Sequence, residues 1–281
     1  MNFTPMPTTP SVLLVLDGSG SMDMSFGNNM SRYEAMQSGL TGTTGVVTGL
    51  QTKAYFGAAL YQCQGGNNVL VNPVPRALNN APTINTYLNQ NGPAGGTPTD
   101  LAINQAVQTF TTAAPPAGSP PVIVLATDGE PNDCNNGSNN TKSQTVAAAA
   151  ASYAAGIPVY VLAIAANSQH FQDVANAGQG HQTGQPNVPY YPVTNAAQLQ
   201  SAFQTIINGV ISCDLTLTSN IDATQASQGV VTVNGMNLTY GTDWTLVNGN
   251  TIHVQGQACT MLKASANPTV GAQFPCGAVI F

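Results

Sequence analysis

Asp17-Gly18-Ser19-Gly20-Ser21 sets one carboxylate and two hydroxyls at alternate positions of a glycine-rich stretch, directly after the apolar run Leu13-Leu14-Val15-Leu16. Alternating glycines permit the tight backbone turn that lets three oxygens converge. Hard oxygen donors of this kind suit magnesium, manganese or calcium rather than zinc. Standing alone the motif reads as a turn, because Asp, Gly and Ser are ordinary turn formers. Two further segments decide between these readings. Gly95-Gly96-Thr97-Pro98-Thr99-Asp100 puts a hydroxyl on a second glycine-led loop, just before the helical pattern Leu101, Ala102, Ile103, Ala106 and Val107. Val122 to Ala126 then runs into Thr127-Asp128-Gly129-Glu130, repeating the first arrangement of an apolar strand, an acid and a glycine.

With these three loops in view, the chain resembles the von Willebrand factor A family from about Ser11 to Ile211, in the form found in secreted or surface-exposed bacterial proteins. That family builds its metal-ion-dependent adhesion site from three such loops. The resemblance implies that Asp17, Ser19, Ser21, Thr97 and Asp128 are the metal residues and that the cofactor is a divalent cation, magnesium first, with calcium or manganese as alternatives. It further implies direct contacts from Ser19 and Ser21, a direct or water-mediated one from Thr97, and mainly water-mediated ones from Asp17 and Asp128. One coordination position would stay open for an acidic group of a partner. The ligand-binding residues stay open, with Glu130 and Asp133 as rim candidates that set the local field; the alternatives are contact with the cation, helix capping, or solvated acids on the loop.

An aspartyl nucleophile at Asp17 is the enzymatic alternative. Such chemistry calls for a second acid two places later, where this chain has Ser19, which cannot serve as a general acid at ordinary pH. The chain is therefore read as no enzyme. His170, His181 and His253 form no ligand-spaced pair and are ordinary histidines. Trp244, Tyr190 and Tyr191 read as packing anchors or, alternatively, as a binding patch. Asp17 and Ser19, carried on a loop, are expected to face solvent, so that their loss should leave the fold intact.

Charge is scarce. Charged residues make up 6% of the 281 positions, against roughly 25% in average soluble proteins. Six of the eleven acids, Asp17, Asp23, Asp100, Asp128, Glu130 and Asp133, nevertheless fall in or beside the three loops. With five Lys and Arg and a net charge of −6, no basic cluster exists to meet a phosphate backbone, which excludes nucleic acid as the expected partner. Val146 to Ala166 carries no charge, but Gly156 and Pro158 interrupt it. It reads as a buried helix followed by a strand, not as a membrane span. The first residues lack the basic start and apolar core of a signal peptide, so a leader already removed or an excised segment is expected.

Five cysteines without a Cys-x-x-Cys pair suit an oxidising, extracytoplasmic compartment. Cys63 and Cys134 each follow a strand that ends at the same rim, so parallel strands would let them bridge. Cys213, Cys259 and Cys276 leave one thiol over, and their pairing is open.

Apolar runs at 12–16, 122–126 and 159–164, separated by helical stretches, predict an α/β fold: a doubly wound, mostly parallel sheet. A helix is expected over 33–50, a strand pair at 55–61 and 69–71 on the sheet edge, and a last helix over 196–211. From Cys213 the apolar period becomes two, with Asn-Gly and similar turns. Residues 1–211 are thus taken as the metal-bearing domain and 212–281 as a small antiparallel all-β module. The expected function is metal-dependent adhesion or ligand binding outside the cell, to a protein or surface that presents a carboxylate. The alternative is a structural subunit of a self-associating surface assembly in which the metal only staples loops. Low charge and the apolar end Gly277 to Phe281 favour that alternative.

Overall fold

The structure is a computed structural model that describes residues 1–7, 9–63, 68–134, 141–265 and 268–280, with the backbone alone at 6 and 7. Phe281, the last residue of the apolar end, lies outside them. The chain divides into two compact units, residues 10–210 and residues 1–9 together with 211–281. The first nine residues therefore belong with the C-terminal unit. Their strands β1 (Asn2–Phe3) and β2 (Met6–Pro7) are too short to register as a sequence pattern, and their partners lie more than 200 residues away.

The larger unit holds a six-stranded sheet of β3 (Ser11–Asp17), β4 (Tyr55–Tyr61), β5 (Leu70–Ala77), β6 (Pro121–Thr127), β7 (Val159–Ile164) and β8 (Tyr191–Val193). The order is β5-β4-β3-β6-β7-β8, and every neighbouring pair is parallel except β4 with β5. Each residue of β3 is buried, as a central strand covered on both faces requires. Leu13 and Val15 pack into a core shared with α4 (Thr99–Thr112), α5 (Lys142–Ala154) and α6 (Gln169–Gly178). Strand alternation turns Val12, Leu14 and Leu16 to the opposite face. In the other helical group, α1 (Arg32–Thr41) packs on α2 (Val46–Leu50), α3 (Ala81–Gln90) and α7 (Ala196–Val210).

The single helix expected over 33–50 is two helices. Gly42-Thr43-Thr44-Gly45 separates them, and a Cβ on Gly45 would stand 2.5 Å from the Leu40 carbonyl, so the chain turns there through space that only glycine leaves open. In the smaller unit, β9 (Asp214–Thr216), β10 (Asn220–Ile221), β11 (Val230–Val233), β12 (Met236–Leu238), β13 (Trp244–Val247), β14 (Thr251–Val254), β15 (Val270–Gln273) and β16 (Val279–Ile280) form antiparallel ladders with β1 and β2. Asn234 and Gly235 both take positive φ between β11 and β12, the two-residue hairpin turn that Asn-Gly favours. Fully buried Trp244 packs against Tyr240 and Phe274 at the centre of this unit. The unit is not purely β. Gln257 to Ala264, a run of mostly good helix formers, continues from Gly256 as α8 (Gly256–Ala264) and buries Ala258 and Leu262.

Two disulfides form. Cys213–Cys259 ties the residue before β9 to α8, and Cys63–Cys134 ties the end of β4 to the loop after β6, while Cys276 is free and exposed. The Cys63–Cys134 bridge spans a sequence separation of 71 residues, a closure that contributes about 4 kcal/mol in the chain-entropy model. Replacing both cysteines by serine should lower the urea-unfolding free energy of the oxidised protein by about that amount. A loss below about 1 kcal/mol would show that the chain is already confined there without the bridge.

Candidate metal centre

Parallel register brings the carboxyl ends of β3, β4 and β6 level, with Asp17 opposite Tyr61 and Leu16 opposite Ala126. The sheet order reverses at β3, where β4 lies on one side and β6 on the other, and such a switch point leaves a crevice outside the strand ends. The three loops meet in it. Gly20 N donates to the Gly95 carbonyl at 3.0 Å, Ala94 N to the Gly18 carbonyl at 2.7 Å, and Asn132 N to the Thr97 carbonyl at 3.0 Å.

Two glycines of the Thr97 loop sit in contact with what surrounds them. Gly95 has φ +67°, and a Cβ on it would stand 2.7 Å from the Cys63 carbonyl; one on Gly96 would stand 2.6 Å from Asn132 Oδ1 and 3.2 Å from Cys63 Sγ. The disulfide and Asn132 therefore fill the space that a side chain would need. Asn132 Oδ1 also accepts from Thr97 N at 3.0 Å, so this one residue fixes the second loop against the third.

Asp17 is fully buried, contrary to the expectation of a solvent-facing group. It is the last residue of β3, and the rim closes over it. Its Oδ1 accepts from Ser19 N at 2.8 Å, while its Oδ2 accepts from the Thr127 hydroxyl at 2.7 Å, from Asp128 N at 3.3 Å and from the Tyr61 hydroxyl at 3.3 Å. Burial, and after it the neighbouring Asp128, pushes the Asp17 carboxyl up to about 6 against the lowering effect of the Ser19 and Thr127 hydrogen bonds. Ser19 is also buried, and its Oγ lies 3.0 Å from Ser21 Oγ, which donates to Asp128 Oδ1 at 2.7 Å. Asp17, Ser19, Ser21 and Asp128 are thus one connected cluster, and Thr97 is buried on the loop tied to it.

Glu130 is engaged elsewhere. Glu130 pairs with Lys142 at 2.6 Å, at the start of α5, and Asp133 stands half-buried beside Cys134. His253 pairs across strands with Asp214, and His170 is buried beside Phe171. The Tyr190 hydroxyl donates to Asn167 Oδ1 at 2.6 Å, and its ring packs toward Phe171.

Sequence reasoning missed four residues: Tyr61, Thr127, Asn132 and Arg32. Strand register would have found the first two, as the cross-strand partner of Asp17 and the neighbour of Asp128. Arg32 carried a different signal, being one of five basic residues inside the helix-start pattern Ser31-Arg32-Tyr33-Glu34. Its Nη1 meets Asp128 Oδ2 at 2.7 Å.

The donor set fits a hard divalent cation. Among the described residues no three His, Cys, Asp or Glu side chains gather as a metal cluster, but two buried carboxylates and a chain of hydroxyls do converge. A cationic group, the Arg32 guanidinium, already stands on one of those carboxylates. Of the five residues expected to hold such an ion, Asp17, Ser19, Ser21 and Asp128 lie in the cluster, and Thr97 lies on the loop tied to it through its backbone.

The von Willebrand factor type A domain model matches residues 11–205. Among solved structures, the chain is similar to the pilus adhesin SpaC of Lactobacillus rhamnosus GG in its open conformation, at 17% identity and a TM-score of 0.57, covering 94% of this chain and 38% of SpaC. It is also similar to manganese-loaded TRAP of Plasmodium vivax, at 14% identity and a TM-score of 0.53, covering 75% of this chain and 76% of TRAP. A third relative in fold is the minor pilin PilB of Streptococcus sanguinis, at 17% identity and a TM-score of 0.53, covering 73% of this chain and 61% of PilB. The chain spans little more than a third of the length of SpaC. A comparison with curated proteins finds no match. The chain belongs to the von Willebrand factor type A domain family.

Proposed function

We propose that this chain is a non-enzymatic adhesion or ligand-binding domain outside the cell, which captures an acidic group of a protein or surface partner through a divalent cation held by Asp17, Ser19, Ser21, Thr97 and Asp128. The observation that carries this reading is the hydrogen-bonded cluster of Asp17, Ser19, Ser21 and Asp128, whose two carboxylates lie side by side in a protein with few cations. A divalent ion bound there would add positive charge beside Asp17, whose partners named above are all neutral donors while Asp128 already meets Arg32, and would offer an open position for a carboxylate. SpaC is a pilus adhesin and TRAP was solved with manganese, which supports both the role and the class of ion, with magnesium favoured and calcium or manganese as alternatives. The two disulfides suit an oxidising compartment, and no described helix is long and apolar enough to cross a membrane. Asp17 makes a poor nucleophile, since it is inaccessible and both its oxygens accept hydrogen bonds.

The second reading is a structural subunit of a self-associating surface assembly. It is favoured by the likeness to the minor pilin PilB and by loops that a disulfide already ties together.

Ser21→Ala is the least disruptive test, because Ser21 is half-buried while Asp17, Ser19 and Thr97 are buried. Magnesium at a hundred times its Kd should stabilise the wild type by about 2.7 kcal/mol and the variant by almost nothing, read by thermal unfolding. Equal stabilisation of both would remove Ser21 from the site.

Partner capture should need the ion. Chelator should abolish binding to an acidic surface such as carboxylated beads, magnesium should restore it, and Thr97→Ala should weaken it by well over the ~1 kcal/mol of a neutral hydrogen bond. Binding that survives chelation undiminished would hand the site to the stapling role of the second reading.

A further inference from the structure

Arg32 is the first residue of α1, a place where a cation faces the positive end of the helix dipole. Its backbone is held there. The Ser31 hydroxyl and the Glu34 carboxylate cap the helix reciprocally, and Arg32 N donates to the Met24 carbonyl at 3.0 Å. The side chain is held at its tip. Nη1 donates to Asp128 Oδ2 at 2.7 Å and reaches the Ser21 carbonyl at 3.5 Å, while Nε is buried with no hydrogen-bond partner among the described residues. A guanidinium with five donors that leaves a buried one unused is positioned by its charge partner rather than by a fitted set of acceptors. The partner is deeply enclosed: the Asp128 side chain is 0% exposed and the Arg32 side chain 15%.

Asp128 has two oxygens. The Ser21 hydroxyl takes Oδ1 and the Arg32 guanidinium takes Oδ2, so an ion entering this cluster meets a carboxylate that already has a counter-charge. We propose that Arg32 is a resident cation of the site, competing with the divalent ion for Asp128 and thereby setting how much of that ion is needed to load it. This rests on the reading that the cluster binds a divalent cation. Exchange requires no backbone rearrangement, because the capped helix start stays in place while the flexible Arg stem swings away. Two effects act in the same direction. The ion must displace the guanidinium from Asp128, and it must approach a like charge on a neighbouring element. A hydrogen bond to a charged group is worth about tenfold to a hundredfold, which is the scale of the handicap.

The test is manganese alone, titrated calorimetrically into the 281-residue wild type, Arg32→Gln and Arg32→Lys, with thermal unfolding of each in chelator and in saturating manganese. Arg32→Gln should bind manganese about tenfold or more tightly than wild type, and Arg32→Lys, which keeps the charge, should stay near wild type. In chelator Arg32→Gln should melt below wild type, because Asp128 is left buried without its counter-charge. In saturating manganese the two should melt together. A purely structural Arg32 would instead lower both melting temperatures and leave the affinity unchanged, which would overturn the proposal while the metal reading stands. If neither the wild type nor either variant binds manganese, the metal reading falls and this proposal with it.

Discussion

The carboxylate of Asp17 ends the central strand inside the protein, and the rim is arranged around the way that charge is held. An ionised carboxylate taken from water costs several kcal/mol unless it is hydrogen-bonded or paired. Asp17 meets that demand with donors from three places: its own loop through Ser19 N, the neighbouring strand on one side through Tyr61, and the neighbour on the other side through Thr127 and, just past its end, Asp128 N. Each donor fixes one loop or strand end relative to the others. The same contacts that make the charge tolerable thus gather the candidate metal residues. The remaining cost shows in the carboxyl being pushed up to about 6, below neutral pH but well above an ordinary aspartate.

Scarcity of charge makes the pairing at this rim more telling than it would be elsewhere. The chain has five basic side chains, and two of them, Arg32 and Lys142, are spent on acids of the third loop, Asp128 and Glu130. The two pairs differ in kind. Lys142 and Glu130 are well exposed, so water screens them and the pair stabilises little. Arg32 and Asp128 are enclosed, so removing either partner leaves a charge that water cannot easily reach.

Much of the fold was legible because its strands are uniform. A run such as Leu13 to Leu16 is apolar at every position, which only a strand covered on both faces requires, and the parallel order follows from the helices between such runs. Glycine altered what periodicity suggested: Gly42 and Gly45 split a helix whose apolar spacing runs straight through them, since the deciding fact is the closeness of the Leu40 carbonyl. Helix α8 was hidden because its nine residues follow a long period-two stretch and bury only two side chains. In the site, the oxygen-bearing residues of the cluster were legible as loop motifs. The depth of Asp17 and the roles of Asn132 and Arg32 were not, because each depends on a residue 35 or more positions away. Pairwise contact at that range leaves no local pattern.

The loops around the cluster are pinned through their backbones by Gly20 to Gly95, Ala94 to Gly18 and Asn132 to Thr97, and again by the Cys63–Cys134 bridge against Gly95 and Gly96. A displacement of one loop would break hydrogen bonds to its neighbour and press a carbonyl or a sulfur into space that only glycine leaves free. The side chains have more latitude, since the Ser19 and Ser21 hydroxyls can rotate and the Arg32 stem can swing. A change of state at this rim should therefore be a rearrangement of hydroxyls and one guanidinium over a fixed backbone. Such a surface would lose little conformational freedom on engaging a partner, so more of the contact energy would remain as affinity.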